Sequence, residues 1–414
     1  MKIEYQEHTL ENGLKVVLHE DHSVPKITVN ILYRVGSRDE SPDRTGFAHL
    51  FEHLMFEGSK HIPSYDTPLQ RVGGQNNAFT YFDMTDYYLN VPSNQLETGL
   101  WLESDRMLEL DFSQEKLDIQ KSVVIEEYKQ RYLNQPYGDA HHKLLGIHYT
   151  THPYKWPVIG KDISHIEGAT LQDVKDFFFG FYAPNNATLV IAGDLEPQKT
   201  LGLVEKWFGG IPRRELNKRV LPTEPEQSEA RHLTVEGDVP FTAVYKMYHV
   251  PAQTERGYYI ADIITDLLAN GKSGRLVQDM VHKRKIASQA NAFSWGLQDP
   301  GSVSVEVRLL AGQTPETYEH ALTETLEDLQ NLTESDLERI KNKLESTFVF
   351  QKTTIANKAL GLAMSDSLGD IELINKTPGI YQSITLEEVK AAAQAYFTPS
   401  NCSTLYYLPT QHAN

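Results

Sequence analysis

The sequence predicts a mixed α/β unit that occurs twice, once in each half of the chain. Three matches between the halves carry this reading. Residues 171–186 (LQDVKDFFFGFYAPNN) resemble 386–401 (LEEVKAAAQAYFTPSN), sharing leucine, valine, lysine, proline and the final asparagine. The strand-like run 26–35 (KITVNILYRV) matches 241–250 (FTAVYKMYHV). The helical run that ends at Gly58 matches 256–271, which ends at Gly271. With those glycines aligned, His49, Glu52 and His53 fall on Asp262, Thr265 and Asp266, which places a metal-type cluster in the first half only.

Length supports two domains, because 414 residues exceed one typical hydrophobic core. The expected boundaries are 1–212 for the first half and 231–414 for the second. A polar segment with two prolines, 213–230, reads as the linker. Apolar content of 40% and charged content of 23% describe an ordinary globular protein. A net charge of −17 argues against nucleic acid and anionic membranes as partners. The single cysteine, Cys402, excludes an intrachain disulfide. No apolar run reaches membrane-spanning length, and the first residues alternate like a strand rather than a signal peptide, so a cytoplasmic location is expected.

Taken in order, residues 8–20 read as two strand pieces around an Asn12-Gly13 turn, and 26–35 as a further strand. Residues 45–58 (TGFAHLFEHLMFEG) read as a short amphipathic helix that Thr45 starts and Gly58 ends. After Gly73-Gly74, two extended runs follow, 76–81 and 85–91. A helix over 94–110 should bury Leu96, Leu100, Met107 and Leu108. A longer helix over 113–133 carries Leu117, Val124 and Tyr128 on one stripe. Residues 186–194 are a buried strand, and a helix over 197–208 closes the half. Gly271-Lys272-Ser273 looks like the end of a phosphate loop, but Asp266 stands where that motif needs glycine.

The chemistry concentrates in His49-Leu50-Phe51-Glu52-His53. Residues four apart share a helix face, so His49 and His53 project together, with Glu52 on the same side. Two imidazoles and a carboxylate so placed suit a zinc ion with an acid/base beside it. Chance alone would yield the H-x-x-E-H pattern in about one such chain in twenty. A third ligand has to come from elsewhere. Glu127 lies in the apolar stripe of the 113–133 helix, where an unpaired carboxylate is costly and a metal would remove the cost. Periodicity alone leaves Glu126 open as well.

Four features together resemble the pitrilysin/insulinase family of zinc peptidases over nearly the whole chain. They are the H-x-x-E-H motif, the run 73–80 (GGQNNAFT), the run 123–127 (VVIEE) and the duplication. In size the chain is similar to the smaller bacterial and mitochondrial-processing-peptidase-like branch. The resemblance implies an α+β fold of two homologous α/β sandwich halves, each an antiparallel-rich sheet covered by helices. It also implies that two chains close like a clam shell around a peptide. It assigns one Zn²⁺ per chain to His49, His53 and Glu127, with Glu126 as the alternative, and the general-base role to Glu52. It assigns Asn77 and Ala78 to an edge strand that binds substrate backbone, and Phe79 to the pocket after the scissile bond. The implied activity is hydrolysis of peptides or unfolded segments.

One departure bears on assembly. The family places an Arg and a Tyr, seven apart, in its second half to hold substrate and oxyanion. The matching segment here, 281–288 (VHKRKIAS), has Val281 and Ser288. The resemblance therefore implies a heterodimer with a homologous chain that carries the Arg/Tyr pair and lacks the zinc motif. A homodimer, and a non-catalytic scaffold subunit, are the alternatives.

Overall fold

The computed structural model describes residues 2–217 and 221–410, and two β-sheets organise them. The first holds β1 (Gln6–Thr9), β2 (Lys15–Glu20), β3 (Lys26–Tyr33), β4 (Gln75–Thr80), β5 (Thr85–Pro92) and β6 (Ala187–Gly193). Their spatial order is β1-β2-β6-β3-β5-β4. The second holds β7 (Arg231–Gly237), β8 (Ala243–Val250), β9 (Ala287–Trp295), β10 (Gly301–Leu309) and β11 (Cys402–Pro409), in the order β7-β11-β8-β10-β9. Without β1 the two orders correspond strand for strand. Each sheet is antiparallel apart from one parallel pair, β2–β6 in the first and β7–β11 in the second. The duplication read from the sequence is thus present in the topology, and the fold is the expected α+β arrangement. The central strands are continuous apolar runs because both their faces are covered: β6 buries all its residues, and β3 all but Lys26.

The compact units differ from the two consecutive halves. One unit gathers Met1–Tyr128, Trp156–Leu221 and Phe348–Lys376; the other gathers Lys129–Lys155, Pro222–Thr347 and Thr377–Asn414. Each half thus lends one segment to the other unit, and the reason is sheet coverage. The helix Ala140–His148 buries Ala140, Leu144, Leu145 and His148 and packs on β7, β8 and β11. The helix Ile355–Ser367 packs on β3 and β6, where Ile355, Ala359, Leu362 and Ala363 join Val17, Leu32, Val190 and Ala192 in one cluster. Alternation along a strand shows that a face is apolar, but not which distant helix covers it. Of the expected linker 213–230, the described residues form no helix or strand, and 218–220 lie outside the described residues.

Two local expectations also change. The helix Leu96–Leu108 leaves Leu108 half-buried and instead buries Glu103 and Arg106, which pair with each other at 2.7–2.8 Å. The Arg106 guanidinium lies 4.6 Å from the ring centres of both Tyr65 and Tyr87, so π-faces as well as the carboxylate offset its desolvation. The 113–133 helix is α-helical over Gln114–Tyr128 and widens to a π-turn over Lys129–Leu133. Among the described residues, no helix is long and apolar enough to cross a membrane.

Asp366 fixes the lent helix Ile355–Ser367 to its sheet. Its carboxylate accepts from Lys15 Nζ at 2.5 Å, from Thr188 Oγ1 at 2.6 Å and from the Arg34 guanidinium. Asp366→Ala removes an acceptor for two cations and should cost about 1.5–3 kcal/mol in urea unfolding. A change below about 0.5 kcal/mol, the usual range for surface substitutions, would show that apolar packing alone holds this helix.

Candidate metal centre

The helix Phe47–Leu54 turns Phe47, Ala48, Leu50, Phe51 and Leu54 into the core and leaves His49, Glu52 and His53 half-buried on the other face. Its start differs from the expectation. Thr45 does not cap it. Gly46 occupies the N-cap at φ 88°, and the buried Glu40 carboxylate accepts from Gly46 N at 2.9 Å and Ala48 N at 2.8 Å. A carboxylate there satisfies orphan donors and complements the helix dipole, together worth about 1 kcal/mol. Gly46 is required, since a Cβ would meet the Ile159 carbonyl at 2.6 Å. Thr45 Oγ1 instead accepts from Lys161 N at 2.9 Å. The helix ends at Leu54, and Gly58 turns the chain four residues later with φ 114°.

The helix Gln114–Tyr128 supplies the third donor. Leu117 and Val124 are buried, and Glu127 is half-buried on a flank of that stripe, whereas Glu126 is exposed. Glu127 Oε2 lies 3.4 Å from His53 Nε2 and 3.7 Å from His49 Nε2. Tetrahedral zinc with ligands about 2.0–2.1 Å away separates its donors by about 3.3–3.4 Å. Donor atoms of His49, His53 and Glu127 all lie within 4.8 Å of one another, and this is the only such group found among the described residues. Chemistry and spacing of the donor set therefore fit zinc, and the structure brings Glu127 rather than Glu126 to the histidines.

Sequence reasoning missed the residues that orient these side chains. Gln120 is one. Its Nε2 donates to Glu57 Oε1 at 2.5 Å, which turns its Oε1 toward His53 Nδ1 at 3.2 Å. An amide oxygen only accepts, so Nδ1–H is the donor to Gln120, and Nε2 is the ring atom turned to Glu127 and the one that would bind a metal. Burial disfavours charge on His53, but hydrogen bonding to Glu127 and the fields of Glu127 and Glu52 outweigh it and raise its pKa. A second missed residue is Thr80, whose Oγ1 donates to Glu52 Oε2 at 2.6 Å. Glu52 thus stands beside the three-donor group without belonging to it. Helical spacing could have pointed to Gln120, seven before Glu127; no local signal points to Thr80.

The other expected residues lie on β4, the edge of the first sheet. Ala78 N–H donates to Asn77 Oδ1 at 2.9 Å. Phe79 does not join the histidines. Side chains alternate along a strand, so with Thr80 turned to Glu52, Phe79 points to the opposite face and packs on the Ile355–Ile371 cluster. That placement does not suit a pocket beside the metal group. At the matching place of the other unit, Lys343 Nζ lies 3.1 Å from both Asp266 oxygens, and Asp262 accepts from Ser294 at 2.5 Å and Tyr381 at 2.6 Å. An ammonium among carboxylates stands there. Val281 is half-buried in the turn Val277–Lys283, and Ser288 is exposed on β9, donating to the Arg308 carbonyl at 3.2 Å.

Comparison with known proteins places these features. Residues 15–161, which hold the metal group and β4, match the family described as insulinase (peptidase family M16). Residues 168–344 match the peptidase M16 inactive domain. The chain is 31% identical to zinc protease PqqE of Helicobacter pylori over 415 residues, covering 97% of this chain and 92% of the relative. A protease from Helicobacter pylori of known crystal structure superposes with a TM-score of 0.92 at 29% identity, covering 99% of this chain and all of the other. A peptidase M16 inactive domain from Pseudomonas fluorescens shares the fold with a TM-score of 0.88 at 19% identity, covering 100% and 99% of the two chains.

Ligand and orienting roles separate by metal titration. Glu127→Gln should abolish tight zinc binding, and Gln120→Ala should weaken it about 10–100-fold, the usual effect of losing a partner that orients a ligand. Glu126→Gln should change it little. If Glu126→Gln were the damaging variant, the third ligand would be misassigned.

Proposed function

Because this chain belongs to the insulinase (M16) peptidase family, we propose that it is a zinc metalloendopeptidase cutting peptides or unfolded segments, with Glu52 as general base. The observation that carries the reading is the convergence of His49, His53 and Glu127 beside a carboxylate that is held separately. Zinc bound there would polarise the scissile carbonyl and acidify a bound water. The chain's own residues do the rest. Glu52, held at Oε2 by Thr80, accepts the proton of the attacking water and later passes it to the leaving amine. The edge of β4 receives an extended peptide as an added strand, with backbone hydrogen bonds that are indifferent to substrate sequence. Asn77 and Ala78 lie at the middle of that edge; the strand joins once the Asn77 side chain yields the Ala78 N–H.

Glu52→Gln should keep its zinc and lose hydrolysis of an unfolded polypeptide such as β-casein, since a base is removed and a ligand is not. Loss of the metal, or full activity, would contradict the assignment.

The assembly we propose is a heterodimer in which this chain bears the zinc. Val281 has no donor, and the short Ser288 hydroxyl already donates to the Arg308 carbonyl. Neither substitutes for an arginine or tyrosine that would hold an oxyanion, a loss worth about 10²–10³ in rate. A homologous chain with that pair and without the zinc motif would restore it. Chain purified alone should hydrolyse β-casein slowly and gain strongly when the partner is added, and the gain should vanish with the partner's Arg or Tyr replaced. Full activity of the lone chain, unchanged by any homologue, would favour a homodimer with other donors.

A further inference from the structure

We propose that Thr80 is the positioning residue for Glu52, and that it ties the orientation of this carboxylate to the strand that receives substrate. The inference rests on the reading of Glu52 as the base. Thr80 Oγ1 donates to Glu52 Oε2 at 2.6 Å, the short range of a hydrogen bond to an ionised carboxylate. A glutamate carboxyl rotates broadly about its last torsion. Anchoring one oxygen restricts that rotation and fixes where the carboxylate stands relative to the attacking water, on which a base acts within about 2.6–3.2 Å.

The hydroxyl is itself fixed. Thr80 is β-branched, which restricts χ1, and it is the last residue of β4. It pairs across the sheet with Thr85, whose own hydroxyl is buried and donates to the Val35 carbonyl at 2.8 Å. Backbone N–H groups alternate between the partner strand and the open side. Tyr81 N–H turns inward to the Met84 carbonyl at 2.8 Å, so Thr80 and Ala78 present theirs to the open edge. One residue thus faces substrate with its backbone and the base with its side chain. A strand added to β4 would bond to the residue that aims Glu52, so docking and base alignment share one element.

The test compares Thr80→Val, which keeps the β-branched shape and loses the donor, with Thr80→Ser, which keeps the donor. Both are measured in the assembly purified through a tag on this chain, with β-casein as probe. Thr80→Val should lower kcat about 10- to 100-fold, the cost of a base displaced by a fraction of an ångström to an ångström, with KM little changed. Its zinc content, and the affinity of its metal-free form for fluorescein-labelled β-casein by anisotropy, should match the parent. Thr80→Ser should restore kcat to within about threefold, because its hydroxyl can still donate. A Thr80→Val enzyme with parental kcat would overturn the proposal, as would equal losses in both variants or a loss of zinc or casein affinity. Glu52→Gln, run in parallel, separates the two levels. If it retains hydrolysis, the base assignment fails and the positioning role goes with it; if it is inactive while Thr80→Val is fully active, the positioning role alone fails.

Discussion

The site depends on a carboxylate held between two imidazoles. Glu127 Oε2 stands 3.4 and 3.7 Å from the Nε2 atoms of His53 and His49, on helices about seventy residues apart in sequence. Such a group is unstable as an isolated cluster of donors and becomes favourable with a cation or a proton among them. Holding it therefore requires both helices to be fixed from below. The Phe47–Leu54 helix sits on an aromatic bed, with Phe51 stacked 5.1 Å from Tyr182, and its N-terminus is closed by Glu40. The Gln114–Tyr128 helix is seated by Leu117 and Val124, and Gln120 joins the two helices through His53 and Glu57.

The matching place in the other unit shows what the same scaffold does without metal ligands. Strand order is preserved, yet Asp262 and Asp266 replace the histidines and Lys343 supplies the positive charge from the helix Glu334–Gln351. A fixed ammonium needs no ion from solution. Residues 168–344, which include Asp262, Asp266 and Lys343, match the family model described as the peptidase M16 inactive domain.

Much of this was legible in the sequence, where the signal is local. Alternation and apolar runs located β1 to β6, and internal similarity located β8 and revealed the duplication, while β7, β9, β10 and β11 were not read. Helical spacing put His49, Glu52 and His53 on one face, and the stripe through Leu117 and Val124 pointed to Glu127 while leaving Glu126 open; family resemblance ranked Glu127 first. What escaped is long-range. Thr45 has the side chain of a cap, but the cap is Glu40, reached from a preceding loop. The run 355–367 lies in the second half of the chain, yet its apolar side completes the first sheet, a pairing that no local signal reports. Thr80 lies 28 residues from Glu52, and only strand pairing brings them together. Phe79 was assigned to a pocket through family resemblance, and the period of two along β4 sends it to the other face.

We assign His49, His53 and Glu127 to one zinc site. Anomalous diffraction at the zinc edge, on crystals grown with equimolar zinc, tests it most directly. One strong peak per chain is expected, about 2.0–2.2 Å from His49 Nε2, His53 Nε2 and a Glu127 oxygen, with Glu52 outside ligand distance. No peak between these residues, or a peak bound by Glu126 or Glu52 in place of Glu127, would contradict it.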